Sequence, residues 1–392
     1  MVRCSPLPSQ PGVGHVHAAV VIGLVPRPTV PAYISPSAVI AFEQCPAKAG
    51  FRLDPALAAL RRTGPAAAVG GIAHEVLAAR ESGAAFGDVW HAAAERWHSR
   101  LVDEWAPATP PRPEQWQNWA LTRERVRIQY ESTVAPREHV VAVTDDVRHA
   151  WREREIATDS GHELPIKPVA MPGPLPWVER KLYDARNGLM GIPDLVEDVA
   201  GSVVVVDHKT GLAQPVVTSE VELQVRLYAA LARAYLGRAP SRLEVRDGTG
   251  HGTEVAGGPA LVEDAVHRAV AAREALAAAG RGEQELVGRP GAERCMGCPF
   301  RGVCRAYLNA SEPVRTRGRA FAFEVLEVDA DGPTTGVRAN VVAPSDIAGE
   351  TRITGFPFPN GVQEGSLWGA AGFELLRGHA RGHWTTLIHR LR

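Results

Sequence analysis

The chain has 392 residues, 45% hydrophobic and 22% charged, with a formal net charge of −1. Such a length and apolar content support a sizeable core, in one large domain plus a smaller one. The near-neutral balance excludes a uniformly basic nucleic-acid binder, so any such site has to be a local basic patch.

Residues 1–30 are rich in Pro, Gly and Val and read as a flexible tail. Their apolar run "HAAVVIGLVP" (residues 17–26) is too short to span a membrane. It also lacks an ordered small-residue cleavage site, so no signal peptide is assigned and a cytoplasmic location is expected. Residues 31–60 read as a helix capped by Ser35 or Ser37, ended or bent at Cys45-Pro46. Residues 65–106 are Ala-rich with helical period and carry His74 in "GGIAHEVL". Another helix is expected over 113–133, then a mixed, Pro-rich stretch to 178.

The texture then changes. "WVERKLYDA", "LMGIPDLVEDV" and "SVVVVDHKT" are three strand-like runs separated by Asn187-Gly188 and Ala200-Gly201, an antiparallel meander. "SEVELQVRLYAALARAYLG" follows as a helix, with Ser219 and Glu222 as a capping box and Gly237 as its stop. A hairpin over 242–255 and a helix over 261–279 precede "CMGCPFRGVC". From about residue 313 the pattern is Gly-punctuated and strand-like, predicting a small β-rich, barrel-like domain over 313–392. The chain has no Gly-x-x-x-x-Gly-Lys-Ser/Thr, which excludes a P-loop motor.

Charged groups at the ends of apolar strands have to be paired or hold a metal. Asp194 and Asp207 meet at one end of the sheet if their strands pair through the Ala200-Gly201 turn. Two adjacent carboxylates raise each other's pKa unless a divalent cation sits between them, and such oxygen ligands suit Mg²⁺ or Mn²⁺. Lys209, two residues after Asp207, points to the same strand face, where it can stabilise charge growing on a phosphate. His208 between them faces away, although its carbonyl is available as a ligand. Gln224 and Tyr228, at i and i+4, share a face of the next helix.

The run "GIPDLVEDV…VVVVDHKTG…LQVRLYA", with the upstream "GGIAHEVL", resembles the PD-(D/E)XK nucleases of the RecB type, a group that includes CRISPR-associated RecB-like exonucleases. The resemblance spans roughly residues 33–310. It implies an α/β fold in which a mixed sheet is flanked by helices, with a helical insertion and a nuclease domain over 31–312. It places His74, Asp194 and Asp207 as metal ligands and Lys209 as the catalytic lysine. Gln224 and Tyr228 fall on the helix motif that contacts the substrate backbone. Glu179 stands where some members carry an acidic residue.

There are five cysteines, and Cys295, Cys298 and Cys304 are spaced C-x2-C-x5-C. An odd count with no signal peptide argues against a disulfide framework and for metal ligation. Iron–sulfur members of the group have one cysteine before the histidine helix and three after the core. The resemblance therefore implies a [4Fe–4S] cluster on Cys45, Cys295, Cys298 and Cys304, with four-thiolate Zn²⁺ as the competing reading. Cys4 reads as an incidental thiol.

The expected activity is metal-dependent cleavage of DNA, as an exonuclease on single-stranded or end-containing substrates. Repair, CRISPR adaptation and phage defence are all compatible settings, with DNA and a helicase as expected partners and no membrane association. The alternative is a catalytically idle iron–sulfur scaffold that binds nucleic acid or a helicase. The arginines in "VRTRGRA" and "RGHARGHWTTLIHRLR" read equally as a solvated face or a phosphate-contacting surface.

Overall fold

The computed structural model describes residues 22–79, 84–105, 110–116, 119–131, 173–209, 217–247, 251–312, 314, 318–329, 336–355, 358, 362–376, 379–382 and 386–391. Helix α1 (Pro36–Gln44) begins where the Ser35 hydroxyl accepts from the Ala38 N–H at 3.3 Å, giving one first-turn donor a partner. Ser35, not Ser37, is the cap. The helix stops at Cys45, which is extended, because Pro46 takes the first position of α2 (Pro46–Leu53) and cannot continue α1. Cys45 is thereby held on a corner between two helices.

Helices α3 (Pro65–Ala78), α4 (Phe86–Trp105) and α5 (Trp119–Glu131) pack around an aromatic core of Phe86, Trp90, Trp105 and Trp119, joined by Trp116 from the segment before α5. Residues 22–30, expected as the end of a flexible tail, are tied down. The Leu24 N–H donates to the Val303 carbonyl at 2.7 Å and the Arg27 N–H to the Asp54 carboxylate at 2.8 Å. Residues 1–21, Cys4 among them, and the mixed segment 132–172 lie outside the described residues.

The three expected strands are five. "WVERKLYDA" splits into β1 (Trp177–Val178) and β2 (Leu182–Asp184), and "LMGIPDLVEDV" into β3 (Leu189–Gly191) and β4 (Leu195–Val199), followed by β5 (Ser202–Lys209). The first break falls at Glu179, whose φ of 47° leaves the extended region. The second falls at Pro193, which has no N–H for a ladder. Strands β2 and β3 form their own ladder, while the main sheet runs β1-β4-β5-β6-β7 with β6 (Arg242–Asp247) and β7 (Gly252–Val255). Ala200 (φ 53°) and Gly201 (φ 86°) join the paired Val199 and Ser202, the left-handed pair that a two-residue hairpin turn needs.

Strands β5 and β6 are parallel, which requires the crossover supplied by α6 (Ser219–Leu236). The cap of α6 lies one residue before the one expected. Thr218, not Ser219, accepts from the Val221 N–H at 3.4 Å, and Gly237 ends the helix at φ 68° as expected. Helices α6 and α7 (Pro259–Gly280) bury one sheet face, where Val203, Val205, Leu243 and Val245 meet Leu223, Leu227, Leu231 and Val266.

The C-terminal region is β-rich, as expected: β8 (Arg319–Asp329), β9 (Gly336–Ala343), β10 (Gly349–Thr354), β11 (Leu367–Leu376), β12 (His379–Arg381) and β13 (Leu387–Arg390). Strand β12 pairs in parallel with β10 and antiparallel with β11, so β8, β9, β10, β12 and β11 close a ring, with β13 added along β11. Phe321, Phe323, Val337, Ile353 and Phe373 belong to the apolar cluster of this region. The ring docks on the loop after Cys298, where a Cβ on Gly369 would lie 2.0 Å from the Gly302 carbonyl oxygen, so only glycine permits the approach. Among the described residues no helix is long and apolar enough to cross a membrane.

Candidate metal centre and cysteine site

Leu195 pairs with Val206 across β4 and β5, which puts Asp194 and Asp207 at the same end of the sheet. Asp194 immediately precedes β4. Its Oδ2 accepts from the His208 backbone N–H at 2.5 Å, and its Oδ1 stands 3.3 Å from His74 Nδ1. Glu179 Oε1 is 2.9 Å from the same nitrogen, and the Glu179 N–H donates to the Asp194 carbonyl at 3.1 Å. One ligand atom each from His74, Glu179 and Asp194 falls within 4.8 Å of the others. Helix α3 supplies the histidine, the break after β1 the glutamate, and the residue before β4 the aspartate.

Asp207 lies outside that triple but beside it, and is the deepest of the four at 1% exposed. Lys209 Nζ stands 2.7 Å from its Oδ2, but this buried oxygen has no hydrogen bond of good geometry. A cation at this oxygen would share it with the Lys209 ammonium. Carboxylates outnumber the single imidazole here, a donor set that fits a hard divalent cation such as Mg²⁺ or Mn²⁺.

The electrostatics reflect this crowding. Burial disfavours the charged form of His74, but hydrogen bonds and charges from Asp194 and Glu179 outweigh it and lift the pKa to about 10. Burial also raises the Asp194 carboxyl, yet its bond to His74 and the His208 N–H bring it below its ordinary value. Burial and then the Asp194 charge push Asp207 up to about 6 despite Lys209. Burial lowers His208 to about 4. His208 serves Asp194 through its N–H.

Lys209 is held from the helix side. Its Nζ donates to Gln224 Oε1 at 3.2 Å, and Gln224 Nε2 donates to the Tyr228 hydroxyl at 3.0 Å. Burial raises the Tyr228 pKa, so the phenol stays neutral. The i, i+4 pair on α6 thus faces the lysine. Gly191 explains how the helix gets that close: a Cβ there would lie 2.7 Å from Leu231 Cδ1 and 3.0 Å from Tyr228 Cε1. The sequence signalled this glycine only as a motif letter. Glu179 was the weakest of the sequence-derived assignments, because nothing in its neighbours foretells the left-handed backbone that turns it toward His74.

Cys45, Cys295, Cys298 and Cys304 line one pocket, with Lys48, Arg289, Arg294 and Arg301 around it. None of the four is in a disulfide. The Arg289 N–H donates to Cys45 Sγ at 3.4 Å, and the buried Arg301 side chain bridges the Cys298 carbonyl to the Gly318 carbonyl at 3.1 Å each. Burial pushes the Cys298 thiol up and Cys304 up to about 12. The four cysteines share one cavity, but no three of their sulfurs lie within 4.8 Å of one another, a spacing wider than a single tetrahedral ion needs; the surrounding cations would offset the charge of thiolates there.

The sequence model described as the PD-(D/E)XK nuclease superfamily matches residues 33–305. The comparison with curated proteins finds no match.

Proposed function

The chain belongs to the PD-(D/E)XK nuclease superfamily, and from that premise we propose that it is a metal-dependent DNA nuclease of the RecB-like type. The observation that carries the reading is the convergence of His74, Glu179 and Asp194 beside the Asp207–Lys209–Gln224 chain. His74, Glu179 and Asp194 would hold the cation, with Asp207 beside them. When bound, Mg²⁺ or Mn²⁺ supplies Lewis-acid polarisation of a phosphate and lowers the pKa of a water.

The protein's own groups do the rest. His74 gives up its proton to become a ligand. Lys209, aimed by Gln224, presents an ammonium where negative charge grows on the phosphate oxygens. Tyr228 fixes the Gln224 amide so that its oxygen, not its nitrogen, faces the lysine. Cys45, Cys295, Cys298 and Cys304 are assigned to a [4Fe–4S] cluster that joins the two ends of a nuclease domain over 31–312, ahead of a C-terminal domain over 313–392. The proposed substrates are single-stranded or end-containing DNA, in repair, CRISPR adaptation or phage defence.

The test is incubation of end-labelled single-stranded DNA, duplex DNA and RNA with Mn²⁺ or Mg²⁺, comparing wild type with Lys209→Ala. Cleavage of DNA that disappears in Lys209→Ala and in chelator supports the reading. Metal-independent cleavage, or equal activity in Lys209→Ala, overturns it. Anaerobically purified protein should be brown, with iron and acid-labile sulfide. Colourless protein with one zinc per chain replaces the cluster with zinc.

A further inference from the structure

The ring β8–β9–β10–β12–β11 is antiparallel except for one parallel pair, between its third and fifth strands in chain order. That is the topology of the five-stranded Greek-key OB barrel, whose second and third strands form a face that binds oligonucleotides. A fold alone does not assign a function, so the case rests on what this face carries.

Strands β9 and β10 are the second and third. Arg338 on β9 is the register partner of Arg352 on β10, which is in turn the partner of His379 on β12. Arg381, two positions on, pairs with Thr354. Val337, Ala339, Ile353 and Ala380, at the alternate positions, are buried, so this basic line lies on the outer side of the barrel. Like charges directly opposite one another on neighbouring strands destabilise a sheet. Two arginines directly opposite one another are nothing the core requires; His379, next in line, is hydrogen-bonded to the Thr354 hydroxyl at 2.6 Å.

Acidic groups hold the line in place only loosely. Arg338 bonds Glu327 at 3.0 Å and Glu350 at 3.5 Å, and Arg352 bonds Asp329 at 2.6 Å. The side chains of Arg338 and Arg352 remain 52% and 62% exposed within these pairs. Exposed pairs of this kind contribute about 0–1 kcal/mol each, so phosphate can replace the carboxylates. Across the next ladder Arg381 faces Glu374, its register partner on β11, and beyond that acid, residues 375–392 contain four arginines, three histidines and no Asp or Glu. The line is about 10 Å across, two strand spacings, which matches one nucleic-acid backbone.

We propose that the outer face of β9, β10 and β12 binds single-stranded DNA through its phosphates. The three strands carry no aromatic residue, so binding is by charge, with little sequence preference and steep salt dependence. Arg338, Arg352 and Arg381 contact phosphates, and Asn340, the register partner of Glu350, adds an amide donor beside them.

The experiment is fluorescence anisotropy of a labelled oligothymidylate on the full chain across a salt series. EDTA is present throughout, so cleavage does not enter and failure here is separable from failure of the nuclease reading. The triple variant R338A/R352A/R381A should bind at least tenfold more weakly at low salt. Its log–log salt slope should be shallower by about 2, from about 0.7 per lost phosphate contact on single strands. The corresponding triple lysine variant should keep most of the affinity. E327Q/E350Q, which frees Arg338, should bind more tightly by a few fold. A triple alanine variant that melts like wild type and binds like wild type overturns the proposal. So does an equal loss of affinity for duplex of the same length, and so does unchanged affinity in E327Q/E350Q.

Discussion

Asp194 and the His208 N–H meet across 14 positions of one hairpin, whereas Arg289 and the Cys45 sulfur meet across 244. The carboxylate and lysine side of the candidate metal centre is a local product, and only His74 reaches it from afar, 105 positions before Glu179. Strand register brings Asp194, Asp207 and Lys209 to one sheet end, and a single crossover helix adds Gln224 and Tyr228. The cysteine site joins a helix corner near residue 45 to a loop near residue 300 and has no local origin. Damage to the first should therefore remove chemistry and spare the fold. Damage to the second should loosen the fold, because closing a loop of that size takes several kcal/mol of chain entropy from the unfolded state.

The largest effects expected are at the metal centre. Asp194→Asn, Asp207→Asn and Lys209→Ala should each lower cleavage by about three orders of magnitude or more, comparable to losing a main transition-state contact. Far-UV circular dichroism should remain that of wild type. A variant that loses activity only because it unfolds would erase the contrast between the two sites.

Next come the cysteines. Cys298→Ala should destabilise by about 2–5 kcal/mol, the range for losing a covalent or metal staple, with metal content falling in step. Melting temperature and metal per chain check this. A Cys298→Ala or Cys45→Ala protein of wild-type stability that keeps its metal would mean that the long loop is closed by packing alone.

A smaller effect is expected at Gln224. Gln224→Ala should lower kcat about tenfold with little change in KM, since the amide aims Lys209. Stability should shift by no more than about half a kcal/mol, as for a partly exposed position. Gln224→Glu keeps an acceptor for Lys209 and should recover part of the loss. A rise in KM with kcat unchanged would instead make Gln224 a substrate contact, the role implied by the sequence resemblance.

The subtlest prediction is a proton count. His74 is protonated up to about pH 10 in the metal-free protein, and a ligand nitrogen has to be neutral. Adding Mn²⁺ at pH 7 to 8 should release about one proton per metal bound, and affinity should rise with pH until about 10. Calorimetry in buffers of different ionisation enthalpy measures this. Binding with no proton release would take His74 out of the ligand set.

The chain's local signals were legible. The Ala200-Gly201 turn, the Cys45-Pro46 helix end, the Gly237 stop and the parity of Asp207 and Lys209 all follow from short-range geometry. So does the mixed α/β character, because strand and helix periods differ visibly along the chain. The cap of α6 was misplaced by one residue because Thr218 and Ser219 are both competent and only the backbone conformation chooses. The meander was read as three long strands because no Gly or Asn marks the break at Glu179 and Pro193 stands inside an otherwise strand-like run, and a left-handed glutamate has no sequence signature.

By itself, then, the sequence determined which residue types stand at which spacing, and hence the two strand-end carboxylates, the lysine and the thiol set. The tertiary structure decided which of them meet. Glu179 rather than Asp207 joins His74 and Asp194 in the closest cluster, since a break after β1 and the approach of α3 set that distance. Gln224 turns toward Lys209 because Gly191 lets α6 close on β3. The closure of the barrel depends on β12 pairing with two strands at once. Such contacts are sums over distant chain segments, and no local period encodes them.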